Sequence, residues 1–416
     1  MDPRDLLTMD NAHVRGRDVC GTRLLGVVVA LTVLLLGNYW MYELRNVLSP
    51  VGLAAAGDFE AYHLAGTAFL ADLNPYLDNS SVPGLAESRG WHPGFSSYLY
   101  PPSFLPGCAL LARFPRDQAE VAWTLGLVAL HIVVIAFMTS RLPKERRLGF
   151  LVVAGLLTLL SRPFLVHLQR GQIDLLVSSL SVLGLLSYGS WGNWPTATLL
   201  AVAACIKINP ALLVISVVAV NRDARFVPKF LAAVAALVAA SFLVVPPDLY
   251  RFYVREVLPW LSAGDPSYQN QSLLRFVAGW DPRWALALSG LGIVGFALLA
   301  LRSTWRTQAP AVRPELMLWP VVLANVLVLL LFSAISWHTA YVWTIVPLAA
   351  VVALLLDRMR TGEAVLLGLA GILMHGRIEQ HIPFFDATNV VGAVIGFTVL
   401  CVWMVRQSRA PAVAKS

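Results

Sequence analysis

The chain has 416 residues, 57% of them hydrophobic and 13% charged, with a formal net charge of +7. A soluble chain carries about a quarter charged residues, so this composition, with a mean hydropathy of +0.68, excludes a soluble globular protein. It points to an all-α polytopic integral membrane protein. The Lys and Arg residues are spread over many short loops, which argues against nucleic-acid binding and fits the positive bias of cytoplasmic loops.

The first apolar run, 22–42, follows a charged N-terminus and ends in Trp40 and Tyr42. It has no small-residue cleavage site close behind it and reads as a retained signal anchor, the first transmembrane helix. Segment 43–118 is then a large extracytoplasmic loop. Within it, the apolar stretch from Pro101 to Phe114 reads as a helix lying in the outer interface, because a span there would put Arg141, Lys144, Arg146 and Arg147 outside.

The remaining spans fall within 119–405, at 119–140, 148–164, 172–188, 194–207, 209–221, 228–246, 282–301, 316–335, 341–356, 362–375 and 389–405. With the first, these make about twelve helices with both ends inside and a cytoplasmic tail at 406–416. Pro210, in Ile206-Lys207-Ile208-Asn209-Pro210, removes a backbone donor. The expectation there is two short helices meeting near Lys207 at the outer face, the alternative being one long helix with a snorkelling lysine. A second external loop covers about 247–281. The chain reads as a single transmembrane domain, with no soluble module and no internal repeat.

Cys20, Cys108, Cys205 and Cys401 are scattered without metal-ligand spacing, so neither a disulfide nor a zinc site is expected. No phosphate-cradling P-loop, dinucleotide fingerprint or nucleophile elbow occurs.

The polar residues that stand out gather on the external side. Asp58 in Gly57-Asp58-Phe59-Glu60-Ala61-Tyr62 reads either as an N-cap of a helix running to about Leu70 or as a general base. Asn74-Pro75-Tyr76 and Tyr98-Leu99-Tyr100-Pro101-Pro102 mark a loop ordered against the membrane. In Arg170-Gly171-Gln172-Ile173-Asp174, Gly171 permits close backbone approach, Gln172 offers hydrogen bonds and Asp174 needs a partner if buried. The Lys207 ammonium inside an apolar run calls for a partner, and Asp174 or a lipid phosphate would serve. Arg255 and Arg275 flank Asn270-Gln271-Ser272, and their guanidinium forks suit phosphate. Trp337, beside His338, offers an aromatic platform for a sugar or an isoprenoid. His375, Arg377, Glu379 and His381 resemble no metal motif, and no metal site is expected.

In order, these residues resemble glycosyltransferase family 87, whose members use polyprenyl-phosphate sugars on the GT-C membrane fold. The resemblance rests on Asp58 with Tyr62, Asn74-Pro75-Tyr76, Tyr100-Pro101-Pro102, Gly171-Gln172, Lys207 with Pro210, Asn270-Gln271-Ser272 and Ser336-Trp337-His338. It implies an inverting transferase in the inner (plasma) membrane with its site on the extracytoplasmic face. Mannosyltransferases of phosphatidylinositol mannosides and an arabinofuranosyltransferase belong to the family.

By the resemblance, Asp58 is the catalytic base. Lys207, Arg255 and Arg275 would hold the donor phosphate, and Gln172, Tyr62, Tyr100, Asn270, Gln271, Trp337 and His338 would line the substrate site. The implied partners are a polyprenyl-phosphate sugar, mannose first and arabinofuranose second, and a glycolipid or glycan acceptor. No cofactor is expected. Thr339-Ala340-Tyr341 departs from relatives that carry extra polar residues beside the histidine. A lipid-linked-sugar flippase is the rival class.

Overall fold

Proline and glycine set where the apolar runs break. The structure, a computed structural model, describes residues 57–77, 97–189, 193–264, 267–277, 282–306, 314–376 and 386–409, together with Gly26 and Ala30. The expected first span, 22–42, therefore lies almost wholly outside the described residues. The helices are α1 (Gly57–Leu70), α2 (Leu105–Leu111), α3 (Arg116–Arg141), α4 (Lys144–Leu160), α5 (Arg162–Arg170), α6 (Asp174–Leu186), α7 (Trp194–Ile206) and α8 (Leu213–Asn221). There follow α9 (Phe226–Ser241), α10 (Pro247–Phe252), α11 (Leu258–Ala263), α12 (Pro282–Arg306), α13 (Pro314–Phe332), α14 (Ile345–Leu355), α15 (Thr361–His375) and α16 (Thr388–Arg409). Among the described residues there is no strand, only an isolated bridge between Asn270 and Trp337.

A bilayer core of about 30 Å calls for roughly 20 apolar residues per helix. Among the described residues four helical segments meet that standard: Arg116–Arg141, Ala287–Thr304, His338–Arg358 and Thr388–Gln407. A fifth arises if α4 and α5, bent by 55° at Ser161, are one broken span. Seven further apolar helices among the described residues have only 10–17 residues. Among the described residues, length and composition thus support an all-α membrane protein with four or five candidate spans; the expected twelve include the first span, 22–42, and several of these shorter helices.

The expected helix 148–164 is divided. Pro163 in the first turn of α5 cannot continue the α4 ladder, and Ser161 caps the new helix by accepting from the Phe164 amide at 3.2 Å. The break near Lys207 is present: α7 ends at Ile206, Lys207 is extended, and a short 3₁₀ turn carrying Pro210 leads into α8.

The centre is formed by α13 and α14, which are buried on nearly every side, as befits helices apolar all round. Around them α3, α4, α9 and α12 turn Leu125, Ile132, Leu148, Leu231 and Leu291 outward, a surface suited to lipid. Ion pairs join the start of α4 to the turn after α14, and the start of α15 to the end of α16. Arg146 pairs with Asp357 at 2.7 Å, and Arg406 pairs with Glu363 at 2.6 Å while donating to the Arg358 carbonyl at 3.3 Å.

Candidate active site

Residues distant in sequence come together at the N-terminus of α1. Asp58 lies in its first turn, where a carboxylate is favoured by the helix dipole. Tyr62 is one turn on and shares its face, while Glu60 projects the other way and pairs weakly with Arg116 at 3.5 Å. α1 is held down by α2: a Cβ at Gly66 would lie 2.1 Å from the Cys108 carbonyl oxygen, so only glycine admits that approach.

The junction between α5 and α6 is fitted onto this face. α5 ends at Gly171 in the left-handed region, φ +63°, with the Gly171 and Gln172 amides donating to Leu168 and His167 carbonyls. A Cβ there would also stand 2.7 Å from that of Phe59. The turn aims the Gln172 amide at Asp58, Nε2 donating to Oδ2 at 2.9 Å. The next amide, Ile173 N–H, donates to the Tyr62 hydroxyl at 3.2 Å, and Trp123 Nε1 donates to the Gly171 carbonyl at 2.8 Å.

The tyrosines of the first loop form one cluster, with Tyr62, Tyr76 and Tyr98 buried and Tyr100 half-buried. The Tyr62 and Tyr100 hydroxyls are 3.1 Å apart with rings edge to face. Tyr76 donates to the Tyr100 carbonyl at 2.7 Å and stacks on Phe252, so the first loop is packed against the second. Ser103 donates to the Cys205 carbonyl at 2.6 Å, which ties the Tyr100-Pro101-Pro102 turn to the end of α7 that carries Lys207.

Lys207 Nζ donates to Asp174 Oδ1 at 2.7 Å, and the indole of Trp343 donates to the same oxygen at 3.0 Å. Asp174 Oδ2 is buried without a partner. The lysine side chain keeps 24% exposure, and an ammonium has three donors. Two remain for a ligand beyond the carboxylate it already pairs with.

The second loop is pinned to the segment before α14. Asn270 Oδ1 accepts from the Ser336 amide at 2.8 Å and its Nδ2 donates to the Ala334 carbonyl at 3.0 Å. The Gln271 amide donates to Ser336 at 2.6 Å, that of His338 to Gln269 at 3.1 Å, and the Tyr341 hydroxyl to Gln271 at 2.9 Å. This pairing places His338 and Thr339 beside α5. Thr339 donates to Gln172 Oε1 at 3.1 Å, while His338 is buried with both ring nitrogens unpartnered. Trp337 is half-buried.

Asp58 is half-buried by accessibility, yet crowding holds its carboxyl above the ordinary value of 3.8. Loss of hydration is the main cause, opposed by the Gln172 hydrogen bond and by the charges of Arg170 and Lys207, and reinforced by Asp174. Burial likewise pushes the Tyr62 and Tyr100 phenols well up, so both stay neutral.

Of the residues singled out in the sequence, Asp58, Tyr62, Tyr100, Gln172, Lys207 and His338 belong to connected elements around this spot. Asn270 and Gln271 are wholly buried and act as ties. Arg275 is committed elsewhere: it pairs with Asp386 at 3.2 Å and donates to the carbonyls of Tyr268, Asn270 and Asp386. Arg255 is exposed on the turn Tyr253–Val257. The cations whose fields reach Asp58 are Arg170 and Lys207, and those facing His338 are Arg162 and Arg170. Sequence reasoning assigned no role to Arg162 or Arg170. The one signal for Arg170 was its position in the last turn of a helix, next to Gly171. Among the described residues no group of three or more His, Cys, Asp or Glu side chains converges as a metal site would require.

Compared with known families, residues 98–334, more than half of the chain, match the model of glycosyltransferase family 87. No curated protein matches significantly.

Proposed function

The chain belongs to glycosyltransferase family 87, and from that premise we propose that it transfers a sugar, mannose first, from a polyprenyl-phosphate donor to a glycolipid or glycan acceptor. The reading places the site on the extracytoplasmic face of a multi-pass GT-C protein in the plasma membrane. The observation that carries it is the Asp58 carboxylate, held by Gln172 within the fields of Arg170 and Lys207, one helical turn before Tyr62.

In this reading the reaction is one displacement with inversion. The acceptor oxygen attacks the anomeric carbon and gives its proton to Asp58, and the bond from that carbon to the donor phosphate oxygen breaks. The pair of electrons leaves with the phosphate, which departs as a polyprenyl phosphomonoester with one more negative charge. Lys207 and Arg170 are the cations that the geometry offers for that charge, acting as fixed positive groups in a site of low dielectric. Arg275 serves Asp386, whereas Arg170 is a cation whose field reaches Asp58. His338 has two uncommitted ring nitrogens for the phosphate or the sugar. The side chains named here supply the proton transfer and the charge stabilisation of this reading.

The test uses protein in lipid nanodiscs with synthetic polyprenyl-phosphate-mannose or polyprenyl-phosphate-arabinofuranose and a glycolipid extract. Mass spectrometry reads a gain of one hexose from the first donor. A gain of one pentose from the second alone would replace mannose by arabinofuranose. Movement of labelled donor between leaflets, with no glycosidic bond formed, would refute transfer.

A further inference from the structure

Resting on the reading of Asp58 as the base, we propose that Thr339 is a positioning residue whose hydroxyl, through the Gln172 side chain, holds Asp58 ready to accept a proton. Thr339 is wholly buried and 167 residues from Gln172, yet its Oγ1 donates to Gln172 Oε1 at 3.1 Å. Gln172, itself 3% exposed, donates from the opposite end of the same amide to Asp58 Oδ2 at 2.9 Å. The three side chains form one line of donors, hydroxyl to amide to carboxylate, with the anion at its end.

Such a line has a direction. A donor on the amide oxygen polarises the amide and strengthens its N–H as a donor, so both hydrogen bonds favour the ionised carboxylate. Without the hydroxyl, Gln172 Oε1 is buried with no donor. The amide, which is nearly symmetrical in shape, is then free to turn its oxygen toward Asp58, a contact that suits only the protonated acid. Thr339 therefore acts on the protonation and aim of the base without touching a substrate.

The other groups facing Asp58 are accounted for. Arg170 from α5 and Lys207 from the end of α7 favour ionisation, and Asp174 from α6 opposes it. Tyr62 and Tyr100 are neutral neighbours. None of them contacts Gln172 Oε1 through a side chain, so the hydroxyl of Thr339 is the group that sets this end of the amide.

The test has two arms. In the first, the carboxylic acid band of Asp58 is identified by infrared difference spectroscopy as the band missing from Asp58→Asn, and is titrated without substrate. Thr339→Val, close in volume, is expected to move the midpoint to higher pH, and Thr339→Ser to restore it. In the second arm, kcat for transfer in Thr339→Val falls about tenfold more on the acid limb than on the plateau, the worth of one charge-assisted hydrogen bond. KM for the acceptor stays within the range of the wild type. A midpoint that is unchanged or lower in Thr339→Val, or Thr339→Ser behaving like Thr339→Val, overturns the proposal. If Thr339→Val does not fold, the comparison of Thr339→Ser with Thr339→Cys, a weaker donor, decides the same point. Full transfer by Asp58→Asn would refute the base reading itself. A silent Asp58→Asn with a wild-type titration in Thr339→Val would refute the relay alone.

Discussion

Removing the Lys207 ammonium separates its structural work from its chemistry. Asp174 is 1% exposed, and its Oδ1 accepts from both Lys207 and Trp343 while Oδ2 has no partner. Without the lysine, a buried carboxylate is left with one indole donor. Breaking a buried pair from one side typically costs about 3–5 kcal/mol. The 24% exposure of Lys207 lets water screen part of this, which puts Lys207→Met near the lower limit, roughly 3 kcal/mol. That corresponds to a loss of the order of 10² in the folded-to-unfolded ratio.

Asp174→Asn in the same chain removes the stranded charge, so the double variant is expected to regain most of that stability. Unfolding by SDS titration in mixed micelles, read by tryptophan fluorescence, measures both. Transfer assays on the same preparations then report the chemistry. The double variant is expected to be stable and still impaired in transfer, because the cation proposed to meet the donor phosphate is gone. A single variant as stable as wild type would refute the buried-pair reasoning. A stable double variant with normal transfer would confine Lys207 to a structural role.

Three further outcomes follow from the same geometry. Gly171→Ala sets a Cβ 2.7 Å from that of Phe59 at a φ of +63°; left-handed strain and overpacking together cost about 2–5 kcal/mol, read as a lower thermal midpoint with reduced transfer. Asn270→Ala removes the hydrogen bonds to Ala334 and from Ser336 and is expected to lose about 2–3 kcal/mol, again read as a lower midpoint. Burial holds the Asp58 carboxyl above 3.8, so its contribution to stability is full below that value and is lost as pH rises through the raised folded value. Asp58→Asn is therefore expected to melt higher than wild type at neutral pH and equally at acid pH, while transfer by the wild type rises with pH along a limb above 3.8. Equal melting of the two at neutral pH would contradict this.

The parts of this site legible in the sequence are those written in local chemistry. Asp58 ahead of an apolar run, the glycine that ends α5, and the proline after Lys207 each constrain the chain within a few residues of themselves. The Asp174–Lys207 pair was legible as well, since each charge in an apolar setting needs a partner. The bend at Ser161 was less so: Ser161, Arg162 and Pro163 mark it, but they fall near the end of the expected helix 148–164 and the chain turns apolar again at Phe164. What stayed hidden depends on how helices are rotated against one another. The fields of Arg162 and Arg170 reach His338, and Arg275 finds Asp386 111 residues away, through packing that no local period encodes. The motifs around Asn270 and Trp337 lie far apart in the sequence, and the structure makes them partners in one backbone bridge.

The most direct measurement compares wild type and Asp58→Asn at matched abundance in nanodiscs, with polyprenyl-phosphate-mannose as donor and the glycolipid extract as acceptor. The account predicts a hexose gain that falls about 10²–10⁴-fold in Asp58→Asn, the usual worth of a general base, with its fold intact. An Asp58→Asn protein that is folded and transfers at the wild-type rate would contradict it.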